Sequence, residues 1–351
     1  MPENAILLST LTYRDASPLN IHRHARLAAV AVAVPDQVVT NDDIIRRYDL
    51  IATDRAVQYS LGITERRWAT PDALPSDLLT VAARRCLAQA QLNVDQLDRV
   101  LYTKLLGDQM IPATAIKVLR NLGATKGLPA FDIAQACSGM VHLMDMAIRY
   151  IDSGDENVLI LGGDISSGLS GTDSKKDTRT IFLNGDAAVA MLLTRSDEPH
   201  FLASYLYTDN TYFGYSYIPF GTALLNQTRA FGPDMFNMTM PDGKVVHQSV
   251  IDSAEIVTAK LLAAAGLSLA DIDAFVTCDQ TTMTWQAQIQ KLSVPPEKSA
   301  SQFHCYGNTV AAMSALNLHA MIESGRLQRG KIVLFEAHGA GASGGGLVFS
   351  Y

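Results

Sequence analysis

The chain has 351 residues, 48% of them hydrophobic and 18% charged, with a net charge of -7 at neutral pH. That is enough apolar material for a large core in two similar halves, and an acidic balance without a dense Lys/Arg run excludes nucleic acid or an anionic membrane as the main partner. No stretch approaches about 18 uninterrupted apolar residues, so no membrane-spanning helix is expected. The opening "MPENAILLSTLTYRDASPLN" lacks a basic segment followed by a long apolar one, so the cytoplasm is the expected compartment. Four cysteines, Cys86, Cys137, Cys278 and Cys305, show no CxxC spacing and read as scattered thiols of a reducing compartment.

Residues 1–24 read as an N-terminal extension, 25–195 as a first half and 196–351 as a second. The division rests on a repeat. "LNVDQLDRVLYTK" (92–104) and "LSLADIDAFVTCD" (267–279) each open on Leu, hold Asp at the seventh position and run into an apolar strand, 175 residues apart. The helix predicted after Cys137 closes on "IDSG" and the one after Asn308 on "IESG", each Gly lying 17 residues beyond its starting residue and serving as a helix C-cap. A β-rich strand follows each, "VLILGGD" (158–164) and "IVLFEAHGAG" (332–341). A period this long is not a solenoid, and two α/β halves related by a pseudo-twofold axis account for it.

That symmetry pairs Cys137 with Asn308, each opening a helix apolar nearly all round and therefore buried. His142 and Asp145 interrupt the first helix on one face and call for an interior partner. Cys137 reads two ways, as core filler or as a thiol displayed at a helix N-terminus, where unpaired N–H groups and the macrodipole favour thiolate. Neighbouring Gln135 and Ser138 supply no charge, so the helix end is expected to do most of the activation.

In order along residues 25–351, "AAVAVAVPDQVVTNDDI", "GITERRW", "GLPAFDIAQACSG", "FLNGDAAVAML", "YGNTVAAMSAL" and "LFEAHGAGASGGGLVFSY" resemble the ketoacyl-acyl-carrier-protein synthase III family of thiolase-fold condensing enzymes. The resemblance implies a five-layered α/β/α/β/α fold, an obligate dimer, and a cysteine that accepts an acyl group from coenzyme A or a carrier protein before condensation with a malonyl thioester. No cofactor is implied, the thioesters being substrates. Cys137 matches the nucleophile, Asn308 the asparagine of the Gly-Asn-Thr motif, and the backbone N–H groups of Cys137 and Ala340 the oxyanion hole. In "GDQMIPATA", Ile111 matches a residue that the dimer partner contributes to the acyl pocket.

The family's third residue, a histidine, is absent from "DAFVTCDQTTM"; Cys278 or Asp279 falls at its place. A carboxylate there would repel a developing enolate and a neutral thiol would stabilise it weakly. His338 stands where the family carries an aromatic ring near the nucleophile, which gives two expectations: a surrogate base in a Cys137, His338, Asp279 constellation, or a ring of similar size. His142 and His319 are expected to pack on helices, His247 at a rim, and His304 and Cys305 in the core. Ala56 and Ser60 occupy the positions where the family holds the adenine of coenzyme A with Trp and Arg, which favours a carrier-protein donor. Arg66, Arg67, Lys175, Lys176 and Arg179 are candidates for a basic rim.

The expected activity is acyl loading on Cys137 followed by Claisen-type condensation in polyketide- or fatty-acid-like biosynthesis. Acyl transfer to an oxygen or nitrogen acceptor, and a non-catalytic subunit of a heterodimer, are the alternatives. A degradative thiolase is disfavoured, since its acid-base cysteine belongs in the C-terminal turn, where this chain has Gly and Ala.

Overall fold

The computed structural model describes residues 11–169, 180–222 and 233–351. The described residues hold eleven strands: β1 (His24–Ala33), β2 (Val38–Thr40), β3 (Glu65–Arg67), β4 (Arg99–Thr103), β5 (Ala130–Ile133), β6 (Asn157–Asp164), β7 (Ala187–Ser196), β8 (Phe201–Thr208), β9 (Ala274–Val276), β10 (Ile332–Gly339) and β11 (Ser343–Ser350). Two sheets run β1-β7-β6-β4-β5 and β8-β11-β10-β9, with β2 and β3 forming a small ribbon. Each sheet has one corresponding parallel pair (β4 with β6, β9 with β10) followed by two antiparallel pairings, and β5 extends the first sheet parallel to β4.

The repeated aspartate explains why the halves share a sequence pattern. Asp98 accepts the N–H groups of Glu156 and Asn157 at the start of β6, and Asp273 accepts that of Ile332 at the start of β10. Each aspartate's own N–H donates back, to Asn157 and Ile332 respectively, at 2.9 Å. The same side chain thus fixes the register of the same parallel strand pair twice.

Five layers follow from where the side chains point. Leu79, Ala83, Val118 and Leu119 of helices Pro75–Gln89 and Thr114–Leu122 cover one face of the first sheet, and Val257 and Leu261 of helix Gly243–Ala265 cover one face of the second. Between the sheets lie the two central helices, Gly139–Asp152 and Ala312–Glu323, whose Met140, Met144, Ala312 and Met313 share one core with Val189, Phe335 and Phe349. The polar face of the first helix is satisfied by Arg149, which holds Asp145 in a bidentate pair, and by Ser204, while His142 bonds the carbonyl of Ser138. Asp145 is therefore paired largely within its own helix.

One glycine sets how deeply the first central helix seats. A Cβ at Gly139 would stand 1.8 Å from Oγ1 of the buried Thr103 on β4, so only glycine lets the helix start against that strand. Gly139→Ala is expected to destabilise the protein by about 1–3 kcal/mol, as overpacking does elsewhere. An unchanged urea midpoint would contradict that seating.

Candidate active site

Cys137 lies in a single 3-10 turn, Ala136–Ser138, between β5 and the central helix, one turn ahead of the expected position. Ala136 adopts φ +43°, a conformation that residues with a Cβ populate rarely and that clusters at functional sites. It turns the chain sharply enough to aim the next residue inward. Cys137 is 7% exposed, buried but reachable.

Cys278 follows β9 at its C-terminal end, is fully buried, and hydrogen-bonds the sulfur of Cys137. Its Sγ also lies 3.5 Å from the carbonyl of Val310, the alternative acceptor for its single S–H. Val310 has φ +56° and donates its N–H to Oδ1 of Asn308 at 2.8 Å. The Asn308 backbone is pinned in turn by the carbonyl of Leu183 at 2.7 Å. With its carbonyl oxygen engaged, Asn308 keeps its amide nitrogen without a partner among the described residues. Cys137, Cys278 and the Asn308–Val310 turn therefore form one connected group.

The glycine-rich turn closes the group from the second sheet. A Cβ at Gly339 would lie 3.0 Å from the Ser138 nitrogen and 3.4 Å from that of Cys137, so the end of β10 runs directly against the cysteine turn. Ser343 secures it, its hydroxyl 2.9 Å from that of Ser138 and 3.2 Å from Oε1 of Gln135, to which it donates. Ala340 opens the turn and is exposed.

The electrostatics separate the two thiols. The Cys278 hydrogen bond is the largest influence on Cys137 and lowers its pKa; burial opposes this, and a backbone hydrogen bond at Cys137 adds to the lowering. Cys278 is raised well above the ordinary thiol value by its hydrogen bond with Cys137, by burial, and by the charges of Cys137 and Asp279. Of the two thiols, Cys137 is therefore the one that loses its proton first and Cys278 the one that keeps it. Cys278 thus joins the helix end as a source of activation.

His338 is corrected too. Along β10 the residues Val333, Phe335 and Ala337 face the central core with Cys137, whereas Leu334 faces the outer helix layer. His338 shares the parity of Leu334: its Nδ1 lies 3.1 Å from the Tyr207 hydroxyl and its Nε2 3.4 Å from Glu336, whose carboxylate accepts from Thr258 of that outer helix. His338 bonds neither Cys137 nor Asp279. Asp279 is held by Ser301 and Asn317, and Asn317 also donates to the Thr277 carbonyl and accepts the Gln302 N–H. Burial raises Asp279 to about 7 against those two hydrogen bonds. The Cys137, His338, Asp279 constellation is not formed, and of the two candidates for the third position it is Cys278 that faces Cys137.

Other expectations sort as follows. Arg66 is not a rim residue; it is fully buried and donates to Asn41 and to the carbonyls of Val39 and Phe182. Arg67 is partly exposed over the Tyr306 ring. Lys175, Lys176 and Arg179 lie outside the described residues. His304 is exposed and Cys305 half-buried, so neither belongs to the core. His247 bonds Thr284 at 3.1 Å, and His319 lies 3.9 Å from Glu323 on its own helix. Ile111 is 84% exposed, well away from any burial by its own chain. Ala56 and Ser60 are exposed on helix Asp54–Leu61, which Thr282, four residues beyond Cys278, ties down through the Gly62 carbonyl. Ser138, Ser343 and Asn317 were missed; small polar residues beside glycines carry no signal until the layers bring them together.

A cysteine and an asparagine on twinned turns between two stacked sheets define a thiolase-fold protein. The chain matches the family 3-oxoacyl-[acyl-carrier-protein (ACP)] synthase III over residues 131–210 and its C-terminal counterpart over residues 262–351. It is 33% identical to the beta-ketoacyl-[acyl-carrier-protein] synthase III of Alkalilimnicola ehrlichii, over 93% of this chain and 99% of that one. Among solved structures it resembles 3-oxoacyl-[acyl-carrier-protein] synthase III from Aquifex aeolicus at 28% identity and TM-score 0.83, covering 93% of this chain and 100% of that one. The priming beta-ketosynthase of the R1128 polyketide biosynthetic pathway is similar at 25% identity and TM-score 0.83, covering 97% and 99%. The chain belongs to the 3-oxoacyl-[acyl-carrier-protein] synthase III family, and is a condensing enzyme of the transferase class. No helix among the described residues is long and apolar enough to cross a membrane.

Proposed function

We propose that the protein loads an acyl group on Cys137 and transfers it by Claisen-type condensation to a carbon nucleophile presented as a thioester. The observation carrying this is the connected group of Cys137, Cys278 and the Asn308–Val310 turn against the Gly339 backbone. The Cys137 thiolate attacks the acyl thioester carbonyl, the N–H groups of Cys137 and Ala340 take the oxyanion, and the donor's thiolate leaves. Formation of the thioester removes the charge on Cys137, which frees the Cys278 S–H. When the second substrate is a malonyl thioester, its C–CO2 bond breaks, CO2 leaves, and Asn308 donates to the thioester carbonyl as the enolate charge develops, with Cys278 as a weak second donor in the position of the family histidine. The enolate carbon attacks the acyl carbonyl and Cys137 thiolate is expelled.

Acyl transfer to oxygen or nitrogen loses support, since it leaned on His338 as a base. A carrier-protein donor is favoured by exposed Ala56 and Ser60, which offer no stacking surface for adenine. A homodimer is supported by Met110, Ile111 and Ile116, exposed apolar side chains beside edge strand β5 that a second copy would cover, Ile111 then entering the partner's acyl pocket. A role in specialised-metabolite assembly is supported by the likeness to the R1128 priming enzyme.

The test is intact-mass measurement after incubation with acyl-coenzyme A and acyl-carrier panels. Wild type is expected to gain one acyl group and Cys137→Ala none, with turnover falling at least about 1,000-fold. An adduct that survives Cys137→Ala, or none on wild type with any donor, overturns the assignment.

A further inference from the structure

We propose that Cys137 and Cys278 form an oxidative modification site, closing to an intramolecular disulfide when a peroxide reaches the pocket, and that reduction by a dithiol reopens it. The pair meets the requirements that separate a resolving thiol from a bystander. The two cysteines lie in one central core with their side chains close enough to act on each other, so oxidation needs no partner from elsewhere in the chain. Cys137 is the more accessible member, 7% exposed, and the one whose pKa is lowered, and Cys278 sits behind it with no exposure of its own.

The other two cysteines cannot compete. Cys86 is fully buried in the outer layer of the first half, with burial raising its thiol to about 12, and Cys305 is half-buried, also raised by burial, and has no sulfur beside it. Oxidation is thereby directed to the one thiolate that chemistry at the site requires.

The steps balance as follows. The Cys137 thiolate attacks peroxide, the O–O bond breaks, and Cys137 becomes a sulfenic acid with hydroxide released. With the Cys137 charge gone, the Cys278 sulfur attacks it; the S–S bond forms, the S–O bond breaks, and the leaving hydroxide takes the Cys278 proton as water. The two thiols lose two electrons in total and the peroxide gains them. A paired sulfur removes the sulfenic acid before further peroxide can drive it to the irreversible sulfinic state. The pair therefore acts as a reversible shut-off, since a disulfide-bonded Cys137 cannot be acylated.

The test needs no substrate, so it stands or falls apart from the functional proposal. Reduced, desalted protein is treated with a modest excess of hydrogen peroxide, free thiols are trapped with iodoacetamide, and a non-reducing tryptic digest is weighed. Peptides 127–149 and 261–291 each hold one cysteine, Cys137 and Cys278. They are expected to appear joined with the loss of two hydrogens, in wild type and in a Cys86→Ser/Cys305→Ser variant alike, and to separate with dithiothreitol. Cys278→Ser is expected to give no joined peptide and to accumulate sulfinic acid on peptide 127–149. Sulfinic acid there in wild type without a joined species overturns the proposal. So do four thiols that still alkylate fully after peroxide.

Discussion

Replacing Asp279 with asparagine is expected to leave stability at pH 4 nearly unchanged and to make the protein more stable than wild type at pH 8, by about 3–4 kcal/mol. Asp279 is fully buried, and burial raises its carboxyl to about 7 against the lowering effect of Ser301 and Asn317. Between the unfolded value of 3.8 and the folded value, the native state holds a proton that the unfolded chain has lost. Stability contributed by this group is therefore fully present below pH 4 and is lost as pH rises through about 7. Asparagine mimics the protonated acid: its oxygen still accepts from Asn317 and its amide can donate to Ser301. The other acids that burial raises, Asp186 and Glu336, titrate alike in both proteins and cancel in the difference. Urea midpoints taken from pH 4 to 8 check it. Parallel curves for the two proteins would mean that Asp279 is ionised in the folded state throughout.

The repeat at 175 residues was legible because it is a hydrogen-bonding device written twice. Asp98 and Asp273 do identical work at the start of β6 and β10, so the spacing survived where overall identity between the halves did not. Cys137 and Asn308 were legible for the same reason, as counterparts on twinned turns. His338 was misread because strand parity was not counted. The ring follows Ala337, which points at the central core, and so points the other way, into a buried network with Tyr207 and Glu336. Arg66 was misread because a basic pair in a loop-like stretch looks exposed; its guanidinium instead supplies the donors that three acceptors in the interior of the small ribbon need. Burial also lowers it to about 10, the cost of keeping that cation inside. The role of Cys278 beside Cys137 is not legible from residue type, since a thiol in place of an imidazole shows only a weaker donor. Its hydrogen bond to Cys137 depends on the two halves meeting, and no one-dimensional pattern records that.

Alkylation of Cys137 against pH separates the two sources of its activation. In Cys278→Ala the midpoint of iodoacetamide alkylation is expected to move to higher pH, with the rate at pH 7 falling about ten-fold, the effect of removing one hydrogen bond to an ionised group. Cys278→Ser keeps an O–H donor and is expected to recover most of the loss. If the backbone at the start of the central helix were the main influence, neither variant would shift the profile. The cavity that alanine leaves works against the expected direction, because admitted water would relieve the burial that raises Cys137. An upward shift therefore comes through in spite of that relief, and a shift downward or none would return the activation to the helix end. The same variant bears on the chemistry beyond loading. Where Cys278 supplies the weak second donor to the enolate, Cys278→Ala is expected to slow condensation with a malonyl thioester measured from the preformed acyl enzyme, a step to which Cys137 comes already acylated, so that its reactivity as a nucleophile plays no part.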